Sequence, residues 1–311
     1  MSARCRTVQP SFLIFAGACS LAWCTPRLCA QSDFQVDVNL VVLHATVADH
    51  AGKFIRDLPR DEFHVSEDGQ PQQLSLFRQE DVPVAVGLVV DNSGSMRRKL
   101  PDVVAAADAF ARSSNPHDDM FVVNFNENVS LGLPAGDAFV SDPNKLQSAM
   151  LRIHANGETA LYDALAKGLE HLGQSPLQKK VLIVLSDGGD NASTRAFSQV
   201  LTAVQESNVI VYTVGLFDEY DKDRNPGVLK RLAKLSGGEA FFPEEISAVT
   251  NVLEAISRDI RNQYTLGYIP SNSKRDGTYR NVSVKIANPH ANRWTVRTRM
   301  GYVASKETGE R

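Results

Sequence analysis

The chain has 311 residues, 43% hydrophobic and 22% charged, with a formal net charge of −3. That describes a globular protein with room for one medium domain and a smaller one. The acidic balance, with no Lys/Arg stripe anywhere, excludes a nucleic-acid binder.

The first thirty residues stand apart. Arg4 and Arg6 make a basic start, Ser11 to Trp23 is a short apolar run, and Leu28-Cys29-Ala30 fits a cleavage site. This is the layout of a secretory signal over residues 1–30, with an uncleaved anchor as the second reading. A lipoprotein signal ending at Cys19 or Cys24 fits less well. All four cysteines (Cys5, Cys19, Cys24, Cys29) lie in this segment, so the mature chain is expected to hold no disulfide. Cleavage also removes three of the 33 basic residues, leaving 30 against 36 acidic ones. The expected location is secreted, periplasmic or cell envelope, with no membrane span after cleavage.

Residues 34–81 read as β structure. Val36, Val38, Leu40 and Val42, then Ala45 and Val47, nearly alternate, and His50 to Lys53 is turn-like. Phe63–Val65 and Leu74–Phe77 add short strands around the turn Glu67-Asp68-Gly69-Gln70, about four strands in all. From Val84 the pattern becomes strand, helix, strand. Strands are expected at Val84–Val90, Met120–Phe125, Val129–Leu133, Val181–Leu185, Val209–Val214 and Ala240–Phe242. Helices are expected around 100–110, 144–153, 161–172, 198–207, 228–235 and 246–262. This alternation predicts a doubly wound, mostly parallel six-stranded α/β sheet over 82–262. Asn124 to Val129 is too short for a helical crossover, so Val129–Leu133 should return as an antiparallel edge strand. Residues 263–304 revert to three strands, and 305–311 read as a disordered tail. Neither flank makes a stable domain alone. The economical arrangement is one sandwich built from both flanks with the α/β domain inserted; the alternative is two independent β appendages.

The chemistry concentrates at strand ends. Val84–Val90 runs into Asp91-Asn92-Ser93-Gly94-Ser95, a carboxylate and two hydroxyls on alternate residues. Gly157-Glu158-Thr159 precedes one helix, and Ser186-Asp187-Gly188-Gly189-Asp190-Asn191 follows another buried strand. If that strand neighbours Val84–Val90, the three loops converge at the sheet edge where open α/β folds bind ligands. Hydroxyl and carboxylate oxygens suit a small hard cation. Each loop taken alone has a plainer reading: Ser93 or Ser95 as a helix cap, Thr159 as a cap, Asp187-Gly188-Gly189 as a turn. Their coincidence in one domain favours metal. Asp190 and Asn191 lie close enough to contribute a hydrogen bond but read first as a surface turn. Glu158 (a modulator of the site in the second reading) and His154 read as surface residues, and Phe217 to Asp223 as a solvated acidic loop rather than a second cation site.

These motifs resemble those of the von Willebrand factor type A domain: DNSGS matches its D-x-S-x-S signature, Thr159 its second loop and Asp187 its third. The flanks VSEDGQPQQLSLF and QYTLGYIPSNSKRDGTYRNVSVKI look like those of a bacterial exported subgroup of that family. The resemblance implies a metal-ion-dependent adhesion site in which Ser93, Ser95 and Thr159 ligate the ion directly. Asp91 and Asp187 would mainly orient hydroxyls and waters. It implies Mg²⁺, with Mn²⁺ or Ca²⁺ as alternatives, and a protein ligand supplying an Asp, Glu or C-terminal carboxylate. The expected role is binding without catalysis, since no nucleophile elbow, phosphate-cradling loop or histidine-paired serine is present. A structural part of the cell envelope with a stabilising metal is the alternative, and a metal-dependent hydrolase the third.

Overall fold

The computed structural model describes residues 40–152, 154–218, 224–288 and 290–305. The expected signal segment, the strand residues before Leu40, residues 219–223 of the acidic loop and tail residues 306–311 lie outside the described residues.

Strand β1 is Val41–Asp49, β2 Phe63–Glu67, β3 Gln70–Gln72 and β4 Leu74–Arg78. The α/β part then runs β5 Val84–Asp91, α1 Leu100–Arg112, β6 Asp119–Phe125, β7 Val129–Leu131 and α2 Pro143–Met150. It continues with α3 Leu161–Leu172, β8 Lys179–Ser186, α4 Phe197–Glu206 and β9 Val209–Gly215. It ends with α5 Pro226–Ser236, β10 Ala240–Phe241 and α6 Val249–Arg261. The C-terminal flank supplies β11 Tyr264–Tyr268, β12 Tyr279–Ile286, β13 Trp294–Arg297 and β14 Gly301–Val303.

The six-stranded sheet has the order β10-β9-β8-β5-β6-β7. All its pairings are parallel except β6 with β7, the antiparallel return expected from the short connection. Every residue of β5 is buried, as befits a central strand covered on both faces. One helical layer has α1 between α2 and α6; the other has α4 between α3 and α5. The chain leaves β5 toward β6 and later returns to its other side as β8. The order therefore reverses between β5 and β8, and their C-terminal ends open onto the crevice of a topological switch.

The flanks form two four-stranded antiparallel sheets, β13-β1-β11-β4 and β14-β12-β2-β3. Each contains strands from both ends of the chain, so the expected fold class is the one observed and independent appendages are not. Leu43, Phe63, Val65, Tyr264, Leu266 and Tyr268 fill the space between the sheets. Three details differ from expectation. The hairpin at Asp68-Gly69, with φ of 47° and 81°, joins β2 to a three-residue β3, and β4 then crosses to the other sheet. Paired positive φ angles are what a two-residue hairpin turn requires. The C-terminal flank has four strands, because Gly301–Val303 pairs with β12; three residues are too few to show periodicity. Helix 246–262 opens as a 3₁₀ turn over Ile246–Ala248 before α6.

The two parts are clasped where the chain passes between them. Arg261 donates to Asp81 Oδ1 at 2.8 Å and pairs with Asp118, tying the exit of α6 to the entry of β5. Asp259, 2% exposed, accepts from the Thr46 hydroxyl at 2.6 Å and the Tyr212 hydroxyl at 2.8 Å, and pairs with Arg297. One carboxylate on α6 thus joins β1, β9 and β13. Hydrogen-bonded partners on all sides are what a buried charge needs.

Candidate metal centre

β5 and β8 run side by side with Val90 opposite Leu185, so Asp91 and Ser186 emerge together. Asp91 is fully buried. Its Oδ1 accepts from the Ser93 N–H at 2.8 Å and its Oδ2 from the Ser186 hydroxyl at 2.6 Å. Burial, and then the neighbouring Asp187 charge, push its carboxyl up to about 6; the Ser186 and Ser93 bonds pull the other way. Ser95 donates to Asp187 Oδ2 at 2.7 Å, and the Ser93 and Ser95 hydroxyls lie 3.1 Å apart. Because Ser95 gives its proton to Asp187, its oxygen accepts from Ser93. Asp187 Oδ1 accepts from the Gly189 N–H at 3.0 Å. Asp187 and Ser93 are 3% and 2% exposed, whereas Ser95 faces solvent.

Thr159 is held by its main chain between the other two loops. Its N–H donates to Asn191 Oδ1 at 2.8 Å, and its carbonyl accepts from the N–H groups of Asn191 and Ala192. On the opposite side Asn156 N–H donates to the Asn92 carbonyl at 2.9 Å and Gly94 N–H to the Gly157 carbonyl at 3.1 Å. Gly157 has φ of 77°, and a Cβ there would come within 1.8 Å of Glu127 Oε2. The positive φ favours glycine here, while the exposed Glu127 carboxylate is able to swing aside.

The cap readings do not describe this geometry. The 3₁₀ turn Gly94–Met96 has no side-chain cap bond, and α1 starts from Lys99 without one. Nor does Thr159 cap α3. Asp190 Oδ1 accepts from the Tyr162 N–H and Ser193 Oγ from the Asp163 N–H, each at 3.1 Å, so those orphan donors are met from the loop after β8. The Ser95 hydroxyl is turned to Asp187, and the Ser93 hydroxyl to Ser95.

Four of the five expected residues, Asp91, Ser93, Ser95 and Asp187, thus belong to one set of short contacts, and Thr159 is tied to them through main-chain bonds. Ser186 belongs to the cluster and sequence reasoning passed over it; a hydroxyl ending a buried strand just before Asp187 was the available signal. Asp190 and Asn191 follow the second of their two readings: Asn191, although exposed, accepts from the Thr159 N–H, and Asp190 from the Tyr162 N–H. His154 and Glu158 are exposed, as expected. In the acidic loop, Asp218 pairs with the buried Lys99 ammonium at 3.2 Å.

Among the described residues no group of three or more His, Cys, Asp or Glu side chains could hold a metal. A site here has to draw on hydroxyls. Adjacent ligands of an octahedral ion with ~2.1 Å bonds lie about 3 Å apart. The Ser93–Ser95 hydroxyl separation of 3.1 Å matches that edge, and Asp187, 2.7 Å from Ser95, sits behind it as the acceptor that orients its hydroxyl. The donor set therefore fits a small hard cation in chemistry and in spacing.

Residues 86–189 match the family model of the von Willebrand factor type A domain. No curated protein matches the chain. Among solved structures, the chain is similar to a von Willebrand factor type A protein from Catenulispora acidiphila. That alignment has a TM-score of 0.52 at 15% identity and covers 88% of this chain and 76% of that one. It is also similar to proximal thread matrix protein 1 of the mussel byssus, with a TM-score of 0.50 at 14% identity over 71% of this chain and 50% of that one. The corresponding domain of the type V pili tip protein Mfa5 from Porphyromonas gingivalis aligns over 58% of this chain and 97% of that one, with a TM-score of 0.48 at 14% identity. At such identities the likeness is one of fold. Residues 86–189 are thus similar to the von Willebrand factor type A domain, and the fold around them is the one shared with the Catenulispora acidiphila protein.

Proposed function

We propose that the protein is a binding module acting outside the cytoplasm, which captures a carboxylate of a protein partner through a divalent cation at the ends of β5 and β8. Ser93, Ser95 and Thr159 hold the ion, Mg²⁺ first among Mg²⁺, Mn²⁺ and Ca²⁺. Asp187 orients the Ser95 hydroxyl, while Asp91 orients Ser186 and the main chain of Ser93. The observation that carries this reading is the Ser93–Ser95–Asp187 chain of contacts, with none of these hydroxyls used as a helix cap. When bound, the cation would supply an open coordination position for an Asp, Glu or C-terminal carboxylate. Ligation mainly by neutral hydroxyls would keep it electron-poor and so attractive to that group.

The reading assigns no catalytic residue. Export rests on the signal-like residues 1–30; among the described residues, no helix is long and apolar enough to cross a membrane. Calorimetric titration with Mg²⁺ tests the site. Saturable binding by the unaltered chain and a loss of at least about tenfold in Ser95→Ala are expected, the size of effect seen when a metal ligand's hydrogen-bonded partner is removed. A pull-down from envelope extract in Mg²⁺ against EDTA then tests the function. A partner retained equally well in EDTA would leave a purely structural cation, the envelope-assembly alternative, as the better account.

A further inference from the structure

The seam between the two parts leaves an open groove of about 520 Å³, bordered by α5, β10, β12 and the run from Val296 to Met300. Its charge is one-sided. Lys230, Lys234, Arg297 and Arg299 line it, against Glu239 alone. Arg297 is neutralised by Glu239 and Asp259. Among the described residues the other three cations have no carboxylate. Lys230 lies 5.2 Å from the centre of the Phe242 ring. Arg299, 9% exposed, donates to the neutral oxygens of Gly301, at 2.8 Å, and Asn208. A guanidinium this buried without an anion is costly, and an incoming anion relieves that cost. Arg297 Nε and the Thr298 hydroxyl, on the same wall, are buried without a hydrogen-bond partner. Such orphaned groups are rare in native structures. Finally, β10 and β13, which both border the groove, are the end strands of their sheets. End strands carry unpaired main-chain N–H and C=O groups.

We propose that this groove binds an extended acidic segment of a protein partner, laid along the β13 edge with its carboxylates facing Lys230, Lys234 and Arg299. Strand addition gives main-chain hydrogen bonds and leaves specificity to alternate side chains. Lys230 and Lys234 are separated by about 6 Å along α5, and alternate residues of an extended chain repeat every ~6.6–6.8 Å. Acidic residues two apart therefore meet both lysines, a span that a single phosphate does not cover. Val296 and the exposed Met300 offer apolar contact to the intervening side chains.

This site is separate from the cation site, and the test keeps them apart. A fluorescent hexapeptide alternating glutamate and valine is titrated with the full chain in EDTA, read by polarisation. Saturable binding that weakens as salt is raised is expected. Reversing the two exposed lysines (Lys230→Glu with Lys234→Glu) should reduce affinity by at least about tenfold, while Ser95→Ala leaves it unchanged. The proposal is overturned by absence of saturable binding, by unchanged affinity in the lysine double variant, or by equal binding of a lysine–valine hexapeptide. Displacement of the probe by an equal concentration of inorganic phosphate also overturns it, since a lone anion would then suffice.

Discussion

Asp91 shows how one side chain sets the conditions for the proposed site. Its carboxyl titrates near 3.8 when free and near 6 in the fold. Between those values the folded chain holds the proton more tightly than the unfolded chain does, so in EDTA this group's contribution to stability falls as pH rises from about 4 to about 6. A cation favours the ionised form and competes with that proton. Mg²⁺ should therefore raise the melting temperature clearly at pH 7 and little at pH 5; equal shifts at both would argue against a cation beside Asp91. His44 gives the opposite sign elsewhere in the molecule. Burial, with Lys179 and Arg299 nearby, lowers its imidazole from 6.5 to about 3. It stays neutral in the fold, so its contribution is fully present above 6.5 and is lost as pH falls toward 3. His44→Gln should flatten that acid limb in urea titrations followed between pH 7 and 4, leaving stability at pH 7 nearly unchanged.

Among the elements, α6 carries the connection between the two parts. Val249, Leu253, Ile256 and Ile260 face the core in the repeat of an amphipathic helix. Asp259 lies among them but is turned to Thr46, Tyr212 and Arg297. Asp259→Ala leaves the half-buried Arg297 guanidinium with Glu239 alone and the buried Thr46 and Tyr212 hydroxyls short of their acceptor, which should cost about 3–5 kcal/mol. A double-mutant cycle with Arg297→Met measures how much of that is the pair. If the single substitution shifts the urea midpoint negligibly, Asp259 does not anchor the seam. Sequence reasoning had no access to this role: along α6 the residue looks like one more polar position, and its three partners lie on strands far away in the chain.

For the whole molecule, each sandwich sheet contains strands from both flanks, so neither flank can bury its apolar face alone. Ending the chain after Arg261 removes β11 from between β1 and β4 and bares Leu43, Phe63 and Val65. That truncation should aggregate, or lose the sandwich's share of the cooperative unfolding signal in calorimetry. A monomeric truncated chain with unaltered strand content would show that the N-terminal flank folds alone.

The sequence by itself determined the alternation of elements, the buried strand Val84–Val90 and the three polar loops at Asp91, Thr159 and Asp187. These follow from local rules: continuous apolar runs mark strands covered on both faces, and polar turns end them. Only the tertiary structure decided that Ser95 bonds Asp187, that Ser186 completes the Asp91 cluster, and that Asp190 and Asn191 brace the Thr159 loop. It alone, too, placed Asp259 at the seam and decided for the single sandwich against two independent β appendages. The physical reason is common to all of these. Each depends on neighbours brought together by the β5–β8 and β1–β11 pairings, and a hydroxyl or carboxylate carries no mark in the sequence of which distant strand it will meet.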